Sequence, residues 1–284
     1  MHRASRVRAK TMPNAPRPLA SEVGEIATGR HFSFDALRLL YHAVLFYFCW
    51  ILFGLLSLLW SIVAAILFRL MSKDHGGRLG RFMIMAGFRF YLGLLRRVGL
   101  LECDFRALDS LKGETSLIIT SNHPSRIDVL LLVSRLPRIV CIMKARLWDN
   151  QFLGGGARLA GYIRNDAPME MIKTAAREVR SGQNLLIFPE GTRSRRSSLN
   201  QFCGGFSLIA SQSGAPVQTV LIENDSGFLG KGWPMFKMPQ FPVVFRVRLG
   251  RRFDVPRDGA RFVAELEEYY RRELQTDSGD RAPA

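Results

Sequence analysis

Asn122-His123-Pro124-Ser125-Arg126-Ile127-Asp128 carries an imidazole and a carboxylate on what reads as a strand-to-helix turn. The apolar run Ser116 to Ile119 just before it suits a short buried strand. Val129 to Val133 just after it suits the first turns of a helix. Pro124 fixes its own φ and holds His123 in extended backbone. His123 can then point out of the turn while Asp128, in the first helical turn, folds back towards it. A histidine held by a carboxylate keeps one tautomer, and its other nitrogen is free to act as a general base. Taken alone, the same pair also fits a loop histidine and an aspartate favoured by a helix N-terminus.

A second strand-end loop is Phe188-Pro189-Glu190-Gly191-Thr192-Arg193-Ser194, which follows the apolar Leu185 to Ile187. Gly191 allows a sharp turn and close approach to a ligand. Glu190 and Arg193 offer opposite charges, and Arg193, Arg195 and Arg196 form a cationic cluster suited to phosphate. Lys144 and Arg164 end two further candidate strands. If these strands are neighbours, the four loops line one polar cleft at the carboxyl edge of a sheet, where α/β folds bind ligands.

The elements that must position these residues begin near residue 102. Candidate strands are 103–107, 116–120, 139–143, 162–164, 184–188, 217–222 and 243–249. Candidate helices are 127–135, 151–160, 167–181, 203–213 and 259–275. This alternation predicts an α/β fold: a mixed, largely parallel sheet flanked by helices. Residues 102–275 form the expected catalytic domain, and 276–284 read as a disordered tail.

Upstream, residues 1–30 read as a flexible basic tail, and residues 31–101 as a membrane-anchoring helical region. Leu39 to Phe68 contains no Asp, Glu, Lys or Arg and is rich in Leu, Phe, Trp and Ile. It exceeds the ~20 residues a membrane span needs. Basic residues flank it on both sides, which favours a re-entrant hairpin bent near Gly54 to Ser57 over a single tilted span. Phe82 to Leu101, interrupted by Arg89, Arg96 and Arg97, suits an interfacial or packing helix.

The net charge of +16 fits an anionic membrane surface, a phosphate-bearing substrate or nucleic acid. A nucleic-acid partner would leave the apolar run without purpose. The four cysteines are widely spaced, so neither a zinc site nor a disulfide framework is expected. No G-x-S-x-G elbow, P-loop or dinucleotide fingerprint occurs, and Gly154-Gly155-Gly156 reads as a flexible loop.

N-H-x-x-x-x-D followed some sixty residues on by F-P-E-G-T-R-S resembles the glycerophospholipid acyltransferases, most nearly the bacterial 1-acylglycerol-3-phosphate (lysophosphatidate) acyltransferases. The resemblance spans roughly residues 85 to 225. It implies that His123 and Asp128 are the catalytic pair. It links Arg164, Glu190, Gly191, Thr192 and Arg193 to the acyl acceptor, with Lys144 as a further cation for the phosphate. Pro216 and Val217 match the start of a fourth, apolar motif, although Thr219 stands where a second proline is common. The implied reaction moves a fatty acyl group from acyl-CoA or acyl carrier protein to a membrane lysophospholipid. It needs no metal or cofactor and would run at the cytoplasmic face of the cell membrane. A lyso-lipid with another head group, such as lyso-ornithine lipid, and a non-enzymatic membrane protein are the alternatives.

Overall fold

In the computed structural model, residues 20–194, 199–255 and 257–279 are described, with side chains from residue 36 to residue 275 within those ranges. Residues 1–19 of the expected tail, Arg195 and Arg196 of the cationic cluster, and residues 280–284 lie outside them. In chain order the elements are α1 (Ala20–Leu70), α2 (Lys73–Arg97), β1 (Leu101–Asp104), α3 (Arg106–Asp109), β2 (Ile118–Ser121), α4 (Asp128–Val133), β3 (Ile139–Met143), α5 (Ala145–Trp148), α6 (Gly154–Leu159), β4 (Ile163–Arg164), α7 (Pro168–Arg180), β5 (Asn184–Ile187), α8 (Gly205–Ser213), β6 (Val217–Asn224), β7 (Val243–Phe253) and α9 (Gly259–Gly279). Helix α1 reaches back into the segment expected as a tail, and α9 reaches forward into the other.

The chain divides into two units at Val44 and Leu45. The first holds the start of α1. The second holds the rest of that helix and everything after it.

The apolar run is one continuous helix, not a hairpin. Gly54 lies within it, and a Cβ there would meet nothing within 4 Å. One glycine costs a helix about 1 kcal/mol relative to alanine, too little to break a run of Leu, Phe, Ile and Trp. The break comes instead at Met71–Ser72, where Ser72 turns to extended backbone (ψ 152°). Ala36–Leu70 is long and apolar enough to cross a membrane, with mean hydropathy 2.6, and only 11% of its most apolar window is buried.

Seven strands form one sheet in the order β1-β7-β6-β2-β5-β3-β4. All pairings are parallel except β6 with β7. The largely parallel sheet is therefore as expected. Alternate residues of the central strands enter opposite cores. Ile119, Leu186 and Cys141 face α1, α2 and α4. Ile118, Leu185 and Val140 face α7, α8 and α9. Burial on both faces explains why these strands read as continuous apolar runs. Helix α7 shows the matching periodicity: Pro168 opens it, and Ile172, Ala175, Ala176 and Val179 make its buried stripe. Tyr270 of α9 is fully buried and donates to the Thr120 carbonyl at 2.7 Å, tying the outer helix layer to the end of β2. Thr219, where a proline was looked for, is buried beside the bulge in β6 and donates to the Arg251 carbonyl at 2.7 Å.

The triple glycine is not a flexible loop. It forms the first turn of α6, packed against α1. Gly155 N–H donates to Ser61 Oγ at 2.9 Å, and a Cβ on Gly155 would sit 2.0 Å from the Ser61 carbonyl oxygen. That contact is backbone and cannot swing aside. Gly155→Ala is expected to destabilise the fold by about 2–3 kcal/mol through overpacking. Thermal unfolding in detergent should show it as a fall of several degrees, and an unchanged melting temperature would mean that α1 and α6 part easily.

Candidate active site

Strand β2 ends at Ser121, and the next residue acts as a false rung. Asn122 Nδ2 donates to the Ile222 carbonyl at 2.7 Å, and Ile222 N–H donates to Asn122 Oδ1 at 2.8 Å. The side chain so imitates one more strand residue and locks the turn to β6. His123 follows, and its Nδ1 lies 2.8 Å from Asp128 Oδ2. The same carboxylate oxygen accepts from Ser125 N–H at 2.7 Å. Ser125 Oγ in turn donates to the Phe228 carbonyl at 2.8 Å.

Asp128 is fully buried at the start of α4. Burial pushes its carboxyl above the usual range, opposed by the hydrogen bond and charge of His123 and by Ser125 N–H. The carboxylate is thus held in place chiefly by what it orients. With Nδ1 engaged by Asp128, the proton sits there in the neutral ring and Nε2 is the acceptor. Among the described residues Nε2 has no hydrogen-bond partner, and the side chain keeps 16% of its surface exposed. The imidazole stacks on Phe188 at the end of β5, with centroids 4.1 Å apart and planes at 21°. Two side chains so fix the ring's plane and direction.

The β5 loop is tied down by Glu190. Its Oε1 accepts His123 N–H at 3.1 Å and Ser194 Oγ at 2.5 Å. Its Oε2 accepts Asn200 N–H at 2.9 Å and Asn200 Nδ2 at 2.7 Å. Ser194 N–H completes the junction by donating to the His123 carbonyl at 2.8 Å. A carboxylate with four internal donors and 4% exposure does not present its charge to a ligand. Expected as an acceptor contact, Glu190 sits instead as the knot between the two motifs. Gly191, at φ +62°, makes the turn after Glu190 and is itself exposed, and Thr192 follows, half-buried.

Arg193 Nη1 donates to the carbonyls of Leu229 (3.0 Å) and Gly230 (2.6 Å) in the loop after β6. Its guanidinium is partly desolvated and lies near the like charge of Arg126, both of which lower its proton affinity, while Asp128 raises it. A pocket of about 250 Å³ opens here, lined by Pro124, Ser194, Asn224, Ser226 and Lys231 among others. Arg126 and Lys231 were not singled out by sequence reasoning. A cation beside the histidine motif was the available signal for Arg126. Lys231 had none, being far off in sequence.

Lys144 and Arg164 do end strands at the same edge, but β3 and β4 lie two and three places from β2. At ~4.8 Å per strand, Arg164 starts about 14 Å to the side. Its guanidinium is engaged by Asp166 at 2.5 Å and Asp149 at 3.2 Å. Lys144 is exposed at the start of α5. The pocket therefore lies at the loops after β2, β5 and β6, and Lys144 and Arg164 end strands further along the same edge. Among the described residues no cluster of His, Cys, Asp or Glu could hold a metal ion.

A mostly parallel sheet with a histidine paired to a buried carboxylate at its carboxyl edge defines an α/β protein with a polar site where such folds bind ligands. Residues 102–223 match the acyltransferase family model. It is similar to a 1-acyl-sn-glycerol-3-phosphate acyltransferase of Pseudomonas aeruginosa, 26% identical over 194 residues that cover 66% of this chain and 73% of the relative. A lyso-ornithine lipid O-acyltransferase of the same organism is 33% identical over 110 residues, 37% of this chain and 42% of the relative. The crystal structure of the 1-acyl-sn-glycerophosphate acyltransferase from Thermotoga maritima shares the fold, with a TM-score of 0.62 over 84% of this chain and 97% of that one, at 19% identity.

Proposed function

We propose that this protein transfers a fatty acyl group from an acyl thioester to the free hydroxyl of 1-acylglycerol-3-phosphate, giving phosphatidate for phospholipid synthesis. The observation that carries the reading is the His123–Asp128 pair, 2.8 Å apart with Nε2 unengaged among the described residues. Nε2 takes the proton of the acceptor hydroxyl as that oxygen attacks the thioester carbon. The tetrahedral intermediate collapses with loss of the thiolate, which takes the proton back from the imidazolium. Asp128 stabilises the imidazolium and holds the tautomer. No acyl-enzyme forms, and no metal or cofactor takes part. The donor is acyl-CoA or acyl carrier protein.

Lys231 lines the pocket beside Pro124, together with Asp225, and Arg193 lies near Arg126 and Asp128; these cations suit the acceptor's phosphate, whose fixation brings the hydroxyl to Nε2. Helix α1 holds the protein at the membrane, with the site on the cytoplasmic side where the donor is made. Asp128→Asn keeps the shape of the pair but removes its charge and invites the wrong tautomer. It is expected to lower turnover about 10²–10⁴-fold, with kcat falling more than KM rises. A raised KM with kcat unchanged would mark a binding residue instead.

A second reading has support in the 33% identity to the lyso-ornithine lipid enzyme. Purified protein supplied with each donor and with lysophosphatidate or lyso-ornithine lipid separates the two. Product from lysophosphatidate alone supports the first reading. Product from the phosphate-free acceptor alone replaces it with the second.

A further inference from the structure

The segment Gly232-Trp233-Pro234-Met235-Phe236-Lys237 matches no motif and takes no part in the chemistry above. Its side chains are conspicuous: Met235 is 50% and Phe236 67% exposed. Its backbone is unusual in the opposite sense. The carbonyl of Pro234 accepts Lys237 N–H at 3.1 Å. That of Met235 accepts Trp50 Nε1 at 3.0 Å, and that of Phe236 accepts Tyr47 Oη at 3.2 Å. The carbonyl of Lys237 accepts Trp233 Nε1 at 3.0 Å. Four successive carbonyls at a loop tip are thus bonded to protein, three of them to aromatic side chains. A tip facing water has no need of this. A tip facing hydrocarbon does, because unpaired backbone polar groups are costly there.

Two of those donors, Tyr47 and Trp50, belong to α1. Beyond them the helix exposes Ile51, Leu55, Leu59, Ile62 and Ile66, each more than half exposed, at the spacing of one helical stripe. The loop tip is therefore bonded to the helix that carries this apolar stripe. Lys237, 5.1 Å above the Trp233 ring, supplies the cation-and-indole pairing suited to lipid head groups. The root of the same loop is the wall of the site: Phe228, Leu229 and Gly230 receive Ser125, Arg126 and Arg193.

We infer that Trp233–Lys237 is a second membrane-contacting element, which dips Met235 and Phe236 into the lipid interface beside α1 and so places the His123 turn at the bilayer surface. This deepens the acyltransfer reading, since a lyso-lipid would reach the site along the loop. The contact itself can be measured without any assay of chemistry.

The test uses the full chain in vesicles of phosphatidylethanolamine and phosphatidylglycerol. Cys203, the one exposed cysteine among the described residues, is replaced by serine. Nitroxide labels are placed singly at Met235→Cys and Phe236→Cys, with Lys173→Cys on exposed α7 as the aqueous control. Two positions guard against one that fails to fold. Accessibility to oxygen relative to a water-soluble nickel chelate is expected to be at least about tenfold higher at 235 and 236 than at 173, as for side chains below the head groups. A ratio equal to the control would overturn the inference. So would shielding from both probes with spin–spin broadening that grows with protein density, because the occupant would then be a second copy of the chain.

Discussion

Replacing His123 with alanine is expected to lower acyl transfer about 10³-fold, the middle of the range for a positioned general base. The side chain is part of no core, and its removal leaves the sheet untouched. It does remove a partner from Asp128, whose Oδ1 already has no hydrogen bond among the described residues. The buried carboxyl, raised by burial, then loses its main stabilising contact, so a stability loss of about 1–3 kcal/mol accompanies the change. The double variant His123→Ala, Asp128→Asn separates the two effects. It should recover part of the stability, because no unpaired charge is left buried, while activity stays at the level of the single variant. Turnover within tenfold of wild type in His123→Ala would remove the histidine from the chemistry.

Glu190→Ala is expected to combine the largest stability loss with a large loss of activity, through a different route. The carboxylate accepts from His123 N–H, Ser194 Oγ, Asn200 N–H and Asn200 Nδ2, and alanine leaves all four donors without it. Hydrogen bonds to a charged group contribute about 1.5–3 kcal/mol each, less whatever water restores. A loss of about 3–5 kcal/mol and a clear drop in melting temperature follow. Activity should fall at least about 10²-fold, since a displacement near 1 Å at the reacting atoms costs that much. If Glu190 bound the acceptor directly, the variant would raise KM and keep its melting temperature. That pattern would refute the structural role given to it here.

The contrast between these residues shows what the sequence could and could not tell. His123 and Asp128 were legible because their relation is local: one turn, one proline and the first residues of a helix hold both. The seven strands were legible because each buried strand is a short apolar run between turn residues, and their ends lay within a few residues of the expected positions. The role of Glu190 was not legible. Its partners come from β2 and from ten residues downstream, and only the β2–β5 pairing brings them together. The surroundings of Arg164 were not legible either. Its position at a strand end was right, but strand order set it further along the edge and its aspartate neighbours engaged it. The hairpin expected in α1 rested on flanking charge, and a charge rule sets orientation without bending a helix. Gly154 to Gly156 carry the composition of a loop, and their true use, letting α6 lie against Ser61 and Trp60, depends on a helix about a hundred residues away.

The central claim is direct attack by the acceptor hydroxyl on the thioester, with proton transfer through His123. The most direct measurement counts both products at once. Detergent-purified protein is given an acyl thioester, with and without lysophosphatidate, and free thiol and phosphatidate are quantified over the same interval. The account predicts thiol and phosphatidate in equal amounts, and no thiol when the acceptor is left out. Thiol released at a comparable rate without acceptor, or an acyl group found on the protein, would contradict it.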